Sequence, residues 1–397
     1  MDITIQPGIL SGNVRIIPSK SQAHRMLICA AFADKETELV CPETNEDISA
    51  TADCLNALGA QITRTKLGYC IVPGSYVPEK AVLNCKESGS TLRFLLPIVG
   101  ALGVDATFHM AGRLPDRPLS PLKEEMERMG CILTIPKRGI LRCTGRLRAG
   151  AYQIDGSVSS QFISGLLFAL VLLNESCTLT VTGKVESQPY IHLTKDALSR
   201  FGANICGERI LPSLPLKSPG NLTVEGDWSN AAFFYAANAL GSNILLEGLR
   251  EDSAQGDRIC KEILSLDGAV NVDATDIPDL VPILSIAAAA KQGGKFTGIG
   301  RLRLKESDRV ASTIAMLRAL GVQAEADSDT LIVYPGQFHG CTVQSEKDHR
   351  IAMAAAIAAT IADGPVTVLD AQCVAKSYPA FWDVYKHLGG YYEQHLR

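Results

Sequence analysis

Six stretches of this chain are almost wholly apolar, and each follows a short polar segment. Such a stretch has no polar face, so a helix formed there has to be packed on all sides. Alanine, leucine and isoleucine dominate the stretches, and alanine and leucine are strong helix formers. The pattern therefore predicts six buried helices, at residues 26–33, 91–102, 162–173, 231–240, 280–290 and 351–362.

A second, amphipathic helix is predicted after each buried one, and each ends at a glycine that precedes a strand-like run. A glycine just beyond a helix closes it by adopting the left-handed conformation. The six glycines are Gly59, Gly130, Gly202, Gly268, Gly321 and Gly389. Further short runs predict strands at residues 3–5, 14–17, 81–85, 140–143 and 330–334.

The polar segments recur at nearly constant spacing, which indicates internal repetition. They begin near Ser21, Ser90, Ser159, Ser229, Asp279 and Asp348. The interval is about 70 residues, except that the one between the fourth and fifth is shorter by about twenty. We therefore predict an α/β protein of two pseudo-symmetric lobes, each built from three repeated α/β units with buried parallel helices. The break is expected near residues 221–226, with the N-terminal strands in the second lobe.

The polar segments carry bases and hydroxyls where helices begin. The first turn of a helix leaves N–H groups unpaired and adds a partial positive charge, so it attracts anions. Lys20 and Arg25 flank the first start, and residues 157–161 offer neutral donors at the third. The plainer interpretation is N-capping beside solvated bases, and residues 227–230 are expected only to cap. If the helices of each lobe run parallel and the lobes face each other, six N-termini surround a cleft suited to a small, strongly anionic ligand.

Composition narrows the class of protein further. The 397 residues are 46% hydrophobic and 20% charged, with a net charge of −4, which describes a globular protein without a nucleic-acid-binding surface. The 12 cysteines are scattered without a C-x-x-C pair, which favours reduced thiols in a cytoplasmic enzyme. Histidine spacing predicts no metal site, and we expect no nucleotide motif, signal peptide or membrane span.

Three further segments are candidates for chemistry. Arg117 lies between two prolines, which restrict its backbone. Lys376 lies in a loop of small residues. Residues 301–309 bring Lys305, Glu306 and Arg309 together before a helix, a pattern that on its own is typical of a solvated helix start.

Six motifs occur in a fixed order along the chain. They are P-S-K-S-x-x-x-R (18–25), G-S-V-S-S-Q-F (156–162), S-x-P-Y (187–190), K-E-S-D-R (305–309), D-H-R (348–350) and A-K-S-Y-P (375–379). Along essentially its whole length the chain resembles the 3-phosphoshikimate 1-carboxyvinyltransferase (EPSP synthase) family. The resemblance implies an inside-out α/β barrel fold, with lobes at 18–223 and at 1–17 plus 224–397. It implies transfer of the enolpyruvyl group of phosphoenolpyruvate to the 5-hydroxyl of shikimate 3-phosphate, without a cofactor. A monomer that glyphosate inhibits is the corresponding expectation.

The same resemblance assigns roles by matching position. Shikimate 3-phosphate is expected at Lys20, Ser21, Arg25, Ser159, Ser160, Gln161, Ser187, Asp279 and Lys305, and phosphoenolpyruvate at Lys20, Gly89, Ser90, Arg117, Gln161, Arg309, Arg350 and Lys376. Asp279 is expected to orient or deprotonate the attacking hydroxyl. Glu306, with Lys20, is expected to move the proton to and from the methylene carbon. The first lobe would then hold mainly shikimate 3-phosphate, and the second would supply the catalytic carboxylates and the bases for phosphoenolpyruvate.

Two departures from the family pattern lie together. Glu87 stands where the family usually has asparagine, and Ser90 replaces threonine. A carboxylate facing a bound phosphate would oppose binding, so Glu87 is expected to point away or pair with a base. The alternatives are the sister enzyme that acts on UDP-N-acetylglucosamine and a non-catalytic anion-binding protein. The first would be expected to carry a cysteine between residues 111 and 121, which is absent, and the second could lose Asp279, Glu306 or Lys376, which are present.

Overall fold

All six apolar stretches are helical in the computed structural model, which describes residues 1–395. In these residues the odd-numbered helices are the predicted buried ones, and the even-numbered ones follow them. The helices are α1 (Lys20–Ala31), α2 (Glu46–Ala57), α3 (Gly89–Leu102), α4 (Leu122–Arg128), α5 (Ser160–Leu173), α6 (Gln188–Arg200), α7 (Trp228–Ala239), α8 (Cys260–Ser265), α9 (Val281–Ala290), α10 (Arg309–Ala319), α11 (His349–Ala359) and α12 (Phe381–His387).

The strands are short, and most lie between the helices. They are β1 (Asp2–Ile5), β2 (Ser11–Arg15), β3 (Thr37–Val40), β4 (Gln61–Arg64), β5 (Gly68–Val72), β6 (Lys80–Lys86), β7 (Asp105–Met110), β8 (Cys131–Lys137), β9 (Ile140–Gly145), β10 (Ala151–Asp155), β11 (Cys177–Thr182), β12 (Asn204–Cys206), β13 (Arg209–Leu211), β14 (Asn221–Thr223), β15 (Asn243–Glu247), β16 (Val270–Asp273), β17 (Gly294–Thr297), β18 (Ala324–Ala326), β19 (Thr330–Val333), β20 (Cys341–Gln344), β21 (Val366–Leu369) and β22 (Tyr392–His395). The strand predicted at 14–17 instead ends at Arg15 and begins at Ser11.

Polar side chains begin most of the buried helices by N-capping. Ser19, Ser88 and Ser159 accept hydrogen bonds from backbone N–H groups of α1, α3 and α5, and Asp227 and Asp348 do the same for α7 and α11. A side-chain acceptor at this position satisfies an otherwise unpaired donor. The capping expected of residues 227–230 is therefore confirmed, with Asp227 as the cap.

Five of the six predicted glycines close their helices in the left-handed region, but the prediction for Gly268 is wrong. Helix α8 ends at Ser265, and Leu266 is already extended at φ −73° and ψ 136°. Gly268 has no positive φ. The helix is only six residues long, so the chain leaves it before reaching the glycine.

The first compact unit spans Pro18–Val224 and contains three four-stranded sheets. Their orders are β14-β3-β5-β4, β6-β7-β9-β8 and β10-β11-β13-β12. In each sheet the first two strands are parallel and the other two pairings are antiparallel. One apolar core, built largely from α1, α3 and α5, fills this unit. The identical topology is the structural form of the sequence repeat.

The second compact unit combines Met1–Ile17 with Glu225–Arg397. Two four-stranded sheets, β16-β17-β19-β18 and β20-β21-β1-β22, repeat the same arrangement. The third is reduced to the parallel pair β2 and β15, which accounts for the shortened fourth copy. A separate apolar core surrounds α7, α9 and α11. Within residues 1–395, no helix has the length and apolar character to span a bilayer.

Candidate active site

Arg25 is buried in α1 of the first unit and is held by neutral acceptors. Its Nε donates to Thr194 Oγ1 at 2.8 Å, and its Nη atoms donate to the carbonyl oxygens of Ser21 and Tyr190 at 2.6 and 2.8 Å. The guanidinium also lies 5.0 Å from the Phe94 ring centroid. In the described residues no carboxylate lies within ion-pair distance of it, although the side chain is only 2% exposed. Burial lowers the pKa of Arg25 to about 10, so the guanidinium stays charged at neutral pH. A buried charge without an opposite charge favours binding of an anion.

Lys20 lies at the start of the same helix, where its Nζ contacts Asp47 Oδ2 at 3.0 Å. Both side chains are partly exposed. Asp47 comes from the first turn of α2, so the pair joins the N-termini of two helices. The hydrogen bonds His24–Thr51 and Thr51–Thr91, both 2.7 Å, extend this polar connection to α3.

An arginine cluster forms where α3 and α5 begin. A Cβ added to Gly89 would lie 2.6 Å from Arg93 Nη1 and 2.8 Å from Arg117 Nη1, so both guanidinium groups lie against this glycine. Gln161 donates to Ser90 Oγ at 3.0 Å and accepts from Arg93 Nη1 at 3.2 Å. Four predicted residues, Gly89, Ser90, Arg117 and Gln161, therefore lie together with Arg93. Two arginines beside two helix N-termini make a strong anion site.

The three predicted serines lie at helix starts in the same unit. Ser159 Oγ accepts from Gln161 N at 3.3 Å and so caps α5, while Ser160 is buried in its first turn. Ser187 is buried in the left-handed conformation, φ 55° and ψ 43°, immediately before α6. The capping interpretation thus applies to Ser159, and its hydroxyl hydrogen can still be donated to a ligand.

In the second unit, Asp279 brings three cations together. Its carboxylate lies 2.8 Å from Arg309 Nη1, 3.4 Å from Arg350 Nη2 and 3.6 Å from Lys305 Nζ. Arg309 Nη2 also donates to Glu306 Oε2 at 2.6 Å. These five residues, which we call the carboxylate cluster, were all predicted, and the structure brings them together.

Arg309 and Arg350 are oriented by different partners. Arg309, 1% exposed, donates from Nε to Asp348 Oδ2 at 2.9 Å and from Nη2 to Asp348 Oδ1 at 3.3 Å. Asp348 also accepts from Ser307 Oγ at 2.9 Å. Among residues 1–395, the Arg350 side chain donates hydrogen bonds only to the Ser229 carbonyl oxygen, at 3.1 Å, and to Asp279. Lys376 Nζ lies 3.5 Å from the Lys347 carbonyl oxygen.

Charge and burial oppose each other in the carboxylate cluster. Burial alone would raise the pKa of Asp279, but Lys305, Arg350 and Arg309 hold this pKa far below its usual range. Asp279 is therefore ionised at neutral pH. Burial lowers the pKa of Lys305 to about 8 against the attraction of Asp279. A lysine with this pKa is still mostly protonated at neutral pH and titrates just above it.

Several side chains near these sites were assigned no role from the sequence. Arg93 follows Gly89 by one helical turn, and this spacing could have placed it on the same face. Asp47, Thr194 and Asp257 carry no local signal, because each reaches the site through tertiary packing. Glu87 is exposed, and its carboxylate packs against the α-carbon of Gly112, whereas Gly89 is covered by arginine.

One group of potential metal ligands exists among the described residues, and it lies apart from both clusters in sequence. Glu36 and the cross-strand pair Glu38 and Cys70 have donor atoms within 4.8 Å of one another. Both carboxylates are exposed, and burial together with their charges raises the pKa of the Cys70 thiol. Exposed acidic groups of this kind are common without a bound ion, so this group by itself does not define a metal site.

Comparison with solved structures defines the fold. Two structures of EPSP synthase from Acinetobacter baumannii superpose with a TM-score of 0.80. One is 24% identical and the match covers 99% of this chain and 100% of that one; for the other the values are 23%, 100% and 100%. The fold is therefore the α/β fold of EPSP synthases.

Sequence comparison extends this from fold to family. The family model described as EPSP synthase (3-phosphoshikimate 1-carboxyvinyltransferase) matches residues 5–385. The 3-phosphoshikimate 1-carboxyvinyltransferase of Clostridium beijerinckii is 38% identical, covering 99% of this chain and 98% of the relative. That of Clostridium kluyveri is 37% identical, covering 98% and 97%. This chain belongs to the EPSP synthase family.

Proposed function

We propose a division of roles among the clustered residues for the reaction of this family. The chain transfers the enolpyruvyl group of phosphoenolpyruvate to the 5-hydroxyl of shikimate 3-phosphate, releasing phosphate and forming 5-enolpyruvylshikimate 3-phosphate. It is a transferase of the shikimate pathway, which leads to the aromatic amino acids. Two substrates that each carry phosphate and carboxylate repel each other, so a shared site needs many fixed cations.

Shikimate 3-phosphate binds at the helix starts of the first unit. The observation that carries this assignment is the buried guanidinium of Arg25, whose charge no described carboxylate balances. Leaving such a charge unpaired is costly, and a bound anion removes the cost. Lys20, Ser21 and Lys305 contact the same substrate. Its phosphate accepts hydrogen bonds from Ser159, Ser160 and Ser187, and Gln161 contacts the same substrate.

Phosphoenolpyruvate binds to the arginine cluster through Gly89, Ser90, Arg117 and Gln161, and Lys20 contacts the same substrate. In the second unit Arg309, Arg350 and Lys376 bind the same substrate. Arginine suits this task because its planar fork matches carboxylate and phosphate oxygens in pairs. Gly89 is needed because a side chain there would collide with both guanidinium groups.

Asp279 and Glu306 carry the chemistry together with Lys20. Because Asp279 is ionised and ringed by cations, it orients the attacking 5-hydroxyl by accepting its hydrogen bond. Glu306 is held by Arg309 Nη2 at 2.6 Å with its carboxylate partly exposed. Glu306 and Lys20 move the proton to and from the methylene carbon of the enolpyruvyl group.

These roles divide the chain at the predicted boundary of 223 and 224. The first lobe contributes mainly shikimate 3-phosphate contacts, and the second contributes the catalytic carboxylates and the bases for phosphoenolpyruvate. We further infer a cytoplasmic monomer that needs no cofactor and is inhibited by glyphosate, an anion that would compete for the phosphoenolpyruvate groups. Light scattering tests the monomeric state, and inhibition kinetics with phosphoenolpyruvate as the varied substrate test inhibition by glyphosate.

Glu306→Gln and Arg25→Gln test the assignment from opposite directions. E306Q is expected to abolish turnover while leaving the calorimetric affinity for shikimate 3-phosphate intact. R25Q is expected to weaken that affinity by about 10- to 100-fold, because a charge-assisted contact of about 1.5–3 kcal/mol is lost. The matched control is Arg200→Gln, which removes an exposed arginine paired with Asp196 on α6. Normal turnover in E306Q, or unchanged affinity in R25Q, would overturn the corresponding role.

A further inference from the structure

The segment before α8 clamps the first turn of α7. The side-chain oxygen of Gln255 accepts from the Trp228 backbone N–H at 3.1 Å, and its side-chain nitrogen donates to the Gly226 carbonyl oxygen at 2.9 Å. Two residues further on, Asp257 accepts a hydrogen bond from the Ser229 hydroxyl. Asp257 lies in the 3₁₀ turn Gly256–Ile259 and is buried, so this contact is shielded from water. The clamp fixes the backbone at Ser229.

Ser229 links Asp257 to Arg350. Its carbonyl oxygen accepts from Arg350 Nη1 at 3.1 Å, and its hydroxyl bonds to Asp257. Arg350 is 3% exposed, and its Nε has no hydrogen-bond partner in the described structure. Arg309, by contrast, has the carboxylate of Asp348 along its edge. The orientation of Arg350 therefore depends on the position of the Ser229 carbonyl together with the more distant carboxylate of Asp279.

Asp257 has an unused acceptor as well. Its Oδ1 is buried without a hydrogen-bond partner in the described structure, while Oδ2 bonds to Ser229. A buried polar atom left unbonded costs free energy, typically about 1–3 kcal/mol.

We propose that Asp257 is a positioning residue for phosphoenolpyruvate binding: it fixes Ser229, whose carbonyl oxygen in turn holds Arg350. The inference rests on the proposed role of Arg350 in binding this substrate. Asp257 acts through Ser229 and is not assigned a contact with either substrate. Loss of the clamp leaves Arg350 in place but free to tilt, so the affinity for phosphoenolpyruvate falls.

The charge state of Asp257 agrees with this role. Burial, and then the negative charge of Asp279, raise the pKa of Asp257 to about 7, although Ser229 and Arg350 act in the opposite direction. Asp227, at the cap of α7, adds to the raised pKa. On the next residues of its own segment, Cys260 stays protonated because burial raises its thiol pKa. Below pH 7 Asp257 is neutral, so the charge of Arg350 is available to the substrate. Above pH 7 the ionised carboxylate of Asp257 competes with the substrate for the charge of Arg350.

The test compares Ser229→Ala, Asp257→Ala and Asp257→Asn with the matched control Ser285→Ala. Ser285 is another buried serine of this unit, and it bonds only to the Val281 carbonyl of its own helix. S229A and D257A are expected to raise KM for phosphoenolpyruvate about tenfold, the equivalent of one lost hydrogen bond. KM for shikimate 3-phosphate is expected to stay unchanged, and S285A to change neither constant.

The amide variant separates positioning from mere structural support. Asn keeps the hydrogen bond to Ser229 without a charge, so D257N is expected to match the unmodified protein below pH 7. Above pH 7 the unmodified protein should show a rising KM for phosphoenolpyruvate, and D257N should not. Combining S229A with D257A should add little to either change alone, because both remove the same link.

Equal rises in both KM values, additive effects in the double variant, or an unchanged KM in S229A and D257A would overturn the proposal. If D257A does not fold, S229A and D257N still decide it. Failure of the proposed function itself would look different, because then the unmodified protein would not consume phosphoenolpyruvate with shikimate 3-phosphate.

Discussion

Asp348→Asn removes one charge from a fully buried ion pair with Arg309, a member of the carboxylate cluster. Asp348 is fully buried, accepts two bonds from Arg309 and one from Ser307, and caps α11 through the backbone N–H of Arg350. Asn can keep the cap with its oxygen. Its NH₂ group would then face the donors of Arg309, so an attraction becomes a clash between two donors.

The expected loss follows from these contacts. Breaking a buried ion pair by removing one partner typically costs about 3–5 kcal/mol. Arg309 keeps Asp279 at 2.8 Å and Glu306 at 2.6 Å, so part of its charge stays balanced. We therefore expect D348N to lower the free energy of unfolding by about 3 kcal/mol, at the low end of that range.

Urea unfolding followed by tryptophan fluorescence measures this directly. Trp228 and Trp382, the two tryptophans of the chain, are both buried in the unit that contains Asp348. The matched control is Asp363→Asn, which removes the same charge from an exposed pair with His339. The control is expected to change little, because exposed pairs are screened by water.

The pH dependence of the unfolding free energy is a second test of the Arg309–Asp348 ion pair. Burial would raise the pKa of Asp348, but Arg309 and His349 outweigh it and hold this pKa below its usual value. A lowered pKa contributes stability above the unfolded value of about 4, and the contribution is lost as the pH falls through the folded value. The difference in the free energy of unfolding between D348N and the unmodified protein should therefore become smaller below about pH 4. A D348N loss no larger than that of D363N at neutral pH would refute the reasoning.

Three other changes probe single contacts. Because burial lowers the pKa of Lys305 to about 8, affinity for shikimate 3-phosphate should fall above that pH, and Lys305→Arg should remove this dependence in calorimetric titrations. Gly89→Ala should raise KM for phosphoenolpyruvate at least tenfold, because the new methyl would displace Arg93 and Arg117; an unchanged KM would contradict the close packing. Arg93→Lys should raise the same KM severalfold, since lysine cannot bond to Gln161 and lie against Gly89 together.

The repeated architecture could be predicted because its signals are local. A buried helix, a polar cap and a closing glycine each leave a mark within a few residues, and six copies reinforce one another. Gly268 is the exception, since the short α8 ends where packing of the shortened copy requires it and not where a glycine would allow. The strand at Ser11–Arg15 was misplaced because its pairing with β15 comes from more than 200 residues away.

The candidate site was predicted less completely than the fold. Residues in a motif, such as those at 305–309, could be proposed for the site because the sequence keeps them adjacent. Asp257 could not be found, because only folding brings it to Ser229 and Arg350. The uncompensated charge of Arg25 depends on its burial and on its hydrogen-bond partners. The sequence indicates the burial but not the partners.

The most direct test of the whole account is phosphate release from phosphoenolpyruvate, measured with and without shikimate 3-phosphate. The account predicts release only when both substrates are present, together with formation of 5-enolpyruvylshikimate 3-phosphate, and none of either with E306Q. Folded protein that releases no phosphate with both substrates, or that releases it with UDP-N-acetylglucosamine instead, would contradict the account.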